Sequence, residues 1–350
     1  MRRRIATRYV SSVINDPMES NHTQLIDKYD RRLNYLRISL TDRCNLRCLY
    51  CVPREGIPKL RHEDILTYEE ILRLARIAVN HGVDKIRLTG GEPLLRKGLY
   101  EFIPKLMALP GLRDISLTTN GVYLRESLEK IKSSGIKRIN VSLDTLRRER
   151  YERITGYDGF DEVWEGIELA RRLNFHPIKI NAVVIRGLND DELVDFAELS
   201  QHNPYHIRFI EYMPIGLAKQ DGDLHHVPSS DIKEQLSRIG NLVPIPNSAH
   251  DGPAERFKFE GALGEIGFIS PISHHFCHMC NRLRLTASGG LRPCLLSNLE
   301  EDLKTPLRTG ASDSELARIF IDVSRNKLHG HRLPHDTSVP FPGHMSSIGG

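Results

Sequence analysis

Three cysteines lie close together early in the chain and could bind one metal centre. Cys44, Cys48 and Cys51 have the spacing C-x3-C-x2-C and follow the apolar run at residues 35–40. Thiolates favour iron-sulfur clusters, zinc or Cu(I) over hard cations. A structural zinc ion takes four protein ligands, whereas a cluster held by three cysteines keeps one iron free for another molecule. Because the loop has no fourth cysteine, the spacing favours an open [4Fe-4S] site; zinc completed by a distant histidine such as His62 is the alternative.

A second cysteine triplet lies near the other end of the chain. Cys277 and Cys280 are followed by Cys294, in the spacing C-x2-C-x13-C. This spacing alone is as compatible with zinc as with an iron-sulfur cluster, because a neighbouring histidine could complete a Cys3His site. The candidate histidines are His274, His275 and His278.

Two arginines lie between the last two of these cysteines. Residues 281–286 predict a short strand with Arg282 and Arg284 on one face and leucines on the other. Adjacent guanidiniums beside a metal suit a polyphosphate, since the arginine fork binds phosphate oxygens bidentately. A solvated pair of strand arginines is the alternative. The chain has no G-x4-G-K-[ST] loop and no G-x-G-x2-G turn after a strand, so a nucleotide would be held by arginine and lysine side chains.

The elements that must position these groups alternate between strand and helix. Thr67 and Glu70 form a capping box at the start of a helix that Gly82 ends. Further strands are predicted at 85–89, 114–119, 138–144, 178–185 and 207–212, and further helices at 99–109, 125–134, 162–173 and 191–199. With residues 35–40, this gives six strands separated by helices, which implies parallel strands with right-handed crossovers. We predict an α/β fold: a partial (β/α)6 barrel followed by a smaller C-terminal α+β region.

One face of nearly every predicted strand is polar, with a period of two residues. If the opposite faces pack against the helices, the polar faces line a cationic cavity suited to a multiply charged substrate. An antiparallel sheet with one solvated face is the alternative, which the intervening helices disfavour. The polar residues are Arg37 and Ser39; Arg87 and Thr89; Ser116, Thr118 and Asn120; Asn140, Ser142 and Asp144; and Lys179 and Asn181.

Length and charge limit the possible functions. The 350 residues can form one barrel-sized domain and a smaller one; we predict an extension at 1–30, the barrel at 31–215 and a C-terminal region at 216–350. The net charge of +4 suits an anionic ligand but gives no support for nucleic acid as a partner. No apolar run predicts a membrane span, and the clustered cysteines indicate a reducing compartment, the cytoplasm.

The first motifs resemble those of the radical S-adenosylmethionine (SAM) enzymes. The first triplet follows a strand, and Tyr50 immediately precedes its last cysteine. Gly90, Gly91 and Glu92 follow the second strand and resemble the segment that holds the SAM amino group in that superfamily. By the same resemblance, two further residues match positions that contact SAM. These are Ser142 and Met213.

Taken together, the motifs are similar to those of a narrower family, the GTP 3',8-cyclases of molybdenum cofactor biosynthesis. The similarity covers residues 33–350 and includes the segment FIEYMP at 209–214, the second triplet with its arginine pair, and the terminal Gly349 and Gly350. The resemblance implies two [4Fe-4S] clusters, with SAM as cofactor and the diglycine end reaching the active site. Positions that would surround GTP are Arg37, Arg87, Thr118, Lys179, Arg282 and Arg284.

The resemblance also implies a reaction and partners. A 5'-deoxyadenosyl radical would remove hydrogen from C3' of GTP, and C3' would then bond to C8 of the guanine. An electron and a proton would complete (8S)-3',8-cyclo-7,8-dihydroguanosine 5'-triphosphate, so the enzyme would be a lyase. Its partners would be GTP, a low-potential electron donor and the next enzyme of the pathway, cyclic pyranopterin monophosphate synthase. A homodimer is left open, and neither a membrane nor nucleic acid is expected.

Overall fold

The computed structural model describes residues 23–53, 56–213, 225–247, 252–330 and 345–348. Gly349 and Gly350, and most of the extension predicted at 1–30, lie outside the described residues. Within the described ranges, no helix is both long and apolar enough to cross a membrane.

Six parallel strands form the middle of one 12-stranded sheet and lie side by side in chain order. They are β1 (Tyr35–Ser39), β2 (Lys85–Thr89), β3 (Asp114–Thr119), β4 (Ile139–Ser142), β5 (Ile178–Val184) and β6 (Tyr205–Glu211). In the strand register, Arg37 of β1 is the neighbour of Arg87 of β2, and Asn181 of β5 is the neighbour of Arg208 of β6. The predicted order of parallel strands is therefore confirmed, and the predicted ends of β2 and β3 match the observed ones.

Helices connect these strands, as the sequence predicts. They are α1 (Tyr68–Asn80), α2 (Leu99–Met107), α3 (Leu124–Ser133), α4 (Arg148–Thr155), α5 (Phe160–Arg172) and α6 (Leu193–His202). The capping box of α1 is confirmed: the Glu70 amide donates to Thr67 Oγ1 at 3.2 Å, and the Thr67 amide donates to the Glu70 carboxylate at 2.7 Å. Helix α4 was not predicted, because its eight residues are mostly charged and only Tyr151, Ile154 and Thr155 are buried.

The C-terminal part of the chain adds strands to both edges of the parallel sheet. Strand β9 pairs in parallel with β6, and β10 pairs in parallel with β1 at the opposite edge. The elements are α7 (Ser229–Ser237), β7 (Leu242–Ile245), β8 (Glu255–Phe259), β9 (Glu265–Ile269), β10 (Arg282–Leu285), β11 (Gly290–Arg292), β12 (Glu301–Asp302), α8 (Lys304–Arg308), α9 (Asp313–Arg325) and α10 (Met345–Ile348). The strand predicted at 281–286 is confirmed, whereas β7 to β9 were not predicted because their segment has little periodicity.

The two faces of the parallel sheet differ as their alternating residues predict. Leu36 and Ile38 of β1, and Ile86 and Leu88 of β2, are fully buried in the hydrophobic core shared with the helices. The residues between them, such as Arg37, point to the other face. The core therefore lies between the sheet and its helices and leaves the polar face for ligands.

Candidate active site

One cavity of about 230 Å³ lies against the polar face of the sheet. Its walls include Ile269 of β9 and Arg282 of β10, which belong to strands on opposite edges of the parallel sheet. The six strands between them contribute Tyr35, Arg37, Arg87, Thr118, Ser142, Asn181, Val183, Arg208 and Ile210. Side chains from the whole width of the parallel sheet thus face one space.

The loop carrying the first triplet is fixed by the turn that follows β2. The Gly91 amide donates to the Thr41 carbonyl, and the Glu92 amide donates to the Arg43 carbonyl, both at 2.7 Å. A Cβ atom at Gly91 would lie only 2.3 Å from the Arg43 carbonyl oxygen, so no larger residue fits without moving the loop. Gly90 has a φ of 154°, and a Cβ atom there would lie 2.7 Å from the Thr41 carbonyl oxygen. In this structure the glycine pair is required by the backbone of the cysteine loop.

Helix α4 supports the other side of the same loop. The amides of Arg47 and Leu49 donate to the carbonyls of Thr155 and Ile154 at 2.8 and 3.0 Å. These bonds lie between the cysteines of the triplet, so the end of α4 fixes their spacing. A helix that shows only a weak sequence pattern therefore has a direct part in building the site.

The thiols of the first triplet are close enough to influence one another. Burial raises the pKa of Cys48 well above its usual value, and the charges of Cys51, Asp144 and Cys44 raise it further. Cys44 Sγ accepts hydrogen bonds from the Leu46 amide at 3.4 Å and from Asn120 Nδ2 at 3.7 Å. Three mutually repelling thiolates are stabilised when they share a metal cation, so this loop fits a metal centre.

The form of that centre follows from the arrangement of the ligands. All six cysteines are free thiols. The described residues contain no group of three or more His, Cys, Asp or Glu side chains that would hold a single metal ion. An iron-sulfur cubane does not require such convergence, because each cysteine binds a different iron. The three-cysteine loop is compatible with this larger centre.

Residues predicted to contact SAM fall into two groups. Tyr50, Ser142 and Met213 line the cavity. Gly90, Gly91 and Glu92 lie beside the cysteine loop and are not among the residues that line it. The Glu92 side chain is fully buried and accepts hydrogen bonds from the Leu94 amide, Thr119 Oγ1 and the Asn120 amide, while burial raises its pKa to about 7. It joins the β2 turn to the end of β3.

Tyr50 connects the cysteine loop to the wall of the cavity. Its hydroxyl donates to Asp144 Oδ2 at 2.6 Å, and Asp144 Oδ1 accepts the Val183 amide at 2.8 Å. Burial raises the pKa of Asp144 to about 6. Tyr50 is the member of the loop that lines the cavity, whereas Cys44, Cys48 and Cys51 are not among the lining residues. The first triplet thus lies behind one end of this space.

The second triplet lines the same cavity directly. Cys277, Cys280 and Cys294 all contribute to its wall, together with Arg282 and Arg284. Burial alone would raise the pKa of Cys280. The positive charges of Arg282 and Lys327 outweigh burial and lower the pKa to about 6. A thiol that gives up its proton near neutral pH is well suited to bind a metal.

Cationic side chains dominate the rest of the wall. Burial and the charges of Arg284 and other neighbours hold the pKa of Arg37 well below its usual value. Burial and Arg282 lower the pKa of Arg284 to about 10. Positively charged arginines that repel one another in a space shielded from water are stabilised when an anion binds among them. The cavity therefore favours a polyanionic ligand.

Lys179 lies near this cluster without lining the cavity. Burial, followed by the charges of Arg208 and Arg87, lowers its pKa to about 6. It lies on β5 two residues before Asn181, which does line the cavity. Of the six residues predicted to surround GTP, the other five all contribute to the wall. They are Arg37, Arg87, Thr118, Arg282 and Arg284.

Several cavity residues were not predicted from the sequence, and two of them, Arg208 and Tyr35, are polar members of the sheet face. Arg208 pairs with Asn181 across β5 and β6 and continues the polar face, so the period of two could have identified it. Tyr35 begins β1 on the same face as Arg37, and its buried hydroxyl has no hydrogen-bond partner within the described part of the chain. An aromatic residue at the start of a strand is so often core that no sequence signal distinguished it.

Glu211, at the end of β6, fixes the segment that leads to the second triplet. Its buried carboxylate accepts the amides of Ser229, Ile272 and Ser273 at 2.9 to 3.0 Å. Burial would raise the pKa of Glu211, but the nearby His226 and the bonds from Ser273 lower it to about 2. One carboxylate thus connects the parallel sheet to α7 and to the loop before Cys277.

Comparisons with known proteins agree with this arrangement. Residues 38–200 match the sequence model of the radical SAM superfamily, and residues 205–333 match the model described as Molybdenum Cofactor Synthesis C. A crystal structure of Streptococcus suis SuiB bound to S-adenosylmethionine superposes with a TM-score of 0.53 at 16% identity, covering 84% of this chain and 69% of that one. At this identity, the likeness shows the fold alone.

Relatives define the chain more narrowly. The GTP 3',8-cyclase of Moorella thermoacetica is 50% identical over 324 residues, which is 93% of this chain and 99% of that protein. The GTP 3',8-cyclase of Pelotomaculum thermopropionicum is 50% identical over 308 residues, covering 88% and 95%. The fold and motifs are those of a radical SAM enzyme. Within that class, the chain belongs to the GTP 3',8-cyclase family of molybdenum cofactor biosynthesis.

Proposed function

We propose that this chain converts GTP to (8S)-3',8-cyclo-7,8-dihydroguanosine 5'-triphosphate. The observation that carries the proposal is one cavity lined by four arginines of three adjacent strands, in which Arg37 pairs in register with Arg87 on one side and with Arg284 on the other. The fourth, Arg282, lies on β10 beside the second triplet. Arginines placed side by side suit a triphosphate, whose successive phosphate groups can each accept a fork. Family membership supplies the nucleotide's identity.

Two [4Fe-4S] clusters complete the proposed site. Cys44, Cys48 and Cys51 would hold the one that binds SAM, with Tyr50, Ser142, Met213 and the turn at residues 90–92 around the cofactor. The second triplet would hold the other cluster. When bound, the first cluster and SAM supply the one-electron chemistry that removes hydrogen from C3' of GTP, after which C3' bonds to C8.

The side chains of this chain act mainly by positioning the substrate. Bond formation within one nucleotide requires C3' and C8 to be held close together, and a fixed geometry can contribute several orders of magnitude to the rate. The arginines clamp the triphosphate, and Thr118 and Lys179 extend the polar surface. Walls supplied by Ile210 and Ile269 keep bulk water from the reacting carbons.

The proposal includes the architecture and the chain terminus. Because one cavity is lined by strands from both edges, we infer that the six parallel strands curve into a partial (β/α)6 barrel at residues 31–215, with residues 216–350 extending its edges. Met345 of α10 lines the cavity, only four residues before Gly349. This proximity supports a catalytic role for Gly349 and Gly350 inside the site.

Partners and location follow from the same chemistry. The reaction needs a low-potential electron donor and delivers its product to cyclic pyranopterin monophosphate synthase. Free thiols that bind iron-sulfur clusters are consistent with the cytoplasm as a reducing compartment. We propose these partners, this location and a homodimeric assembly, which the molar mass in solution would test.

Anaerobic reconstitution tests the proposal. The protein should bind iron and acid-labile sulfide in amounts equal to two cubanes, and Cys277→Ala should lose one of the two. With SAM, dithionite and GTP, mass spectrometry should detect 5'-deoxyadenosine and a second product. That product should have the same mass as GTP and a different chromatographic retention time. A protein that binds zinc without sulfide, or that forms no product from GTP, would refute the proposal.

A further inference from the structure

Two buried cations outside all the sequence motifs contact the backbone of the segments that carry the second cysteine triplet. We infer that Lys327 and Arg31 hold the three ligand segments of the second cluster together, and that Lys327 raises the cluster's reduction potential. The inference depends on the second cluster of the proposed function. It adds two positioning residues that lie far along the chain from backbone groups they contact: Arg31 is 246 residues from Cys277, and Lys327 is 45 residues from Arg282.

Lys327 follows the end of α9 and joins two of the ligand segments. Its ammonium donates to the Arg282 carbonyl at 2.9 Å and to the Pro293 carbonyl. Arg282 lies two residues after Cys280, and Pro293 immediately precedes Cys294. The lysine is 2% exposed, so both contacts are made away from water. One ammonium thus fixes the backbone beside two of the three cysteines.

Arg31 joins the third cysteine to the same region. Its guanidinium donates to the carbonyl of Cys277 itself, to the Leu328 carbonyl at 2.6 Å and to the His329 carbonyl at 3.2 Å. Asp27 holds the guanidinium from the other side, with Oδ2 at 2.5 Å from Nε. Because Leu328 directly follows Lys327, the two cations act on one connected piece of backbone.

The two cations differ in the charge that they bring to the site. Arg31 forms a buried ion pair with Asp27, so its charge is largely compensated. The described contacts of the Lys327 ammonium are two carbonyl oxygens, which compensate it only as dipoles. The potential of an iron-sulfur cluster depends on nearby charge and on burial. A buried positive charge favours the reduced cluster, which carries one more electron.

The test uses reconstituted holoenzyme and follows both clusters by redox titration with electron paramagnetic resonance. Lys327→Gln keeps a hydrogen-bond donor and removes the charge. We expect the equilibrium constant for reduction of the second cluster to fall about tenfold, which is about 59 mV for one electron. Lys327→Arg should stay within about twofold of the wild type. The first cluster is the internal reference, and Lys132→Gln, the same change at an exposed position of α3, is the matched control.

Arg31→Lys tests the claim that Arg31 helps to hold the ligand segments of the second cluster together. It keeps a cation beside Asp27 but cannot reach three carbonyls, so the second cluster should lose iron to a chelator several times faster, with its potential little changed. Loss of iron at the wild-type rate would overturn this structural role of Arg31.

Each outcome for Lys327 decides the inference. A Gln variant with two clusters and an unchanged second potential would overturn it. Loss of the second cluster in the Gln variant, with retention in the Arg variant, would support the need for charge. Loss in both would overturn the role of charge. A wild-type protein that binds only one cluster would instead refute the proposed function.

Discussion

GTP binding should take up about one proton at pH 7.5, because two lysines near the cavity, the buried Lys85 and the partly buried Lys179, are held partly neutral. The pKa of Lys179 is lowered to about 6 by burial and that of Lys85 to about 8, also by burial. At pH 7.5, the first is about 97% neutral and the second about 24% neutral. Because neither lysine lines the cavity, the triphosphate is placed about 8 Å away, where two of its charges together contribute roughly 4 kcal/mol at an effective dielectric of 20, or about 3 pKa units.

Such a shift would protonate both lysines in the complex, so the expected uptake is about 1.2 protons. The affinity should then fall about tenfold per pH unit between pH 7 and 9, since the free lysine binds its proton less readily as pH rises. The γ-phosphate of GTP, with a pKa near 6, has already lost its proton at pH 7.5 and contributes little.

Calorimetry in buffers of different ionisation enthalpy measures this uptake. Lys179→Gln should reduce the uptake to about 0.2 proton, the share of Lys85. Guanosine, which carries no phosphate, should bind without uptake in either protein. Wild-type binding without proton uptake, or the same uptake in the Gln variant, would refute the placement of the triphosphate near these lysines.

Three further substitutions test separate parts of the site. Glu211→Gln should lower the free energy of unfolding by about 1 to 3 kcal/mol, because the amides of residues such as Ser229 lose a charged acceptor. Since the pKa of Glu211 is about 2 against a usual 4.5, this difference should be present above pH 4.5 and vanish as pH falls to about 2, as urea unfolding can measure. Gly91→Ala should displace the Arg43 carbonyl and abolish binding of the first cluster while the second remains, as iron and sulfide analysis would show. Arg284→Ala should weaken GTP binding about tenfold or more, as measured by equilibrium dialysis, without changing SAM cleavage in the absence of GTP.

Matched controls separate these effects from general damage. Gly252→Ala places a Cβ atom no closer than 3.8 Å to any neighbour and should keep both clusters. Arg125→Ala removes an exposed guanidinium paired with Glu165 and should leave GTP affinity unchanged. Equal stability of the Glu211 variant and wild type at pH 7, or unchanged GTP affinity in the Arg284 variant, would contradict the roles assigned to those residues.

The features that the sequence predicted are local ones. Strand β2 was predicted to the residue because Gly82 ends the preceding helix and Gly90 follows the strand, so both boundaries are marked within a few residues. Both cysteine triplets could be proposed as metal sites from the sequence because their members lie close along the chain. The alternation of polar and apolar residues placed Arg37 and Arg87 on one face, and the register confirms that they are neighbours.

Features that depend on distant backbone contacts could not be predicted. Arg31 and Lys327 contact carbonyl groups 246 and 45 residues away, and a carbonyl leaves no mark on the sequence of the residue that carries it. Helix α4 has few apolar residues, so its role in fixing the cysteine loop shows only in the structure. The sequence assigned Gly91 only to the SAM-binding segment, by resemblance, whereas in the structure a Cβ atom at this position would collide with the Arg43 carbonyl.

The transfer of hydrogen from C3' of GTP tests the central claim most directly. GTP deuterated only at C3' should be incubated anaerobically with the reconstituted protein, SAM and dithionite, and the 5'-deoxyadenosine analysed by mass spectrometry. One deuterium in the 5'-deoxyadenosine, with a product that has lost it, is the result expected when the cavity holds C3' towards the SAM site. Unlabelled 5'-deoxyadenosine formed together with cyclised product would contradict the account.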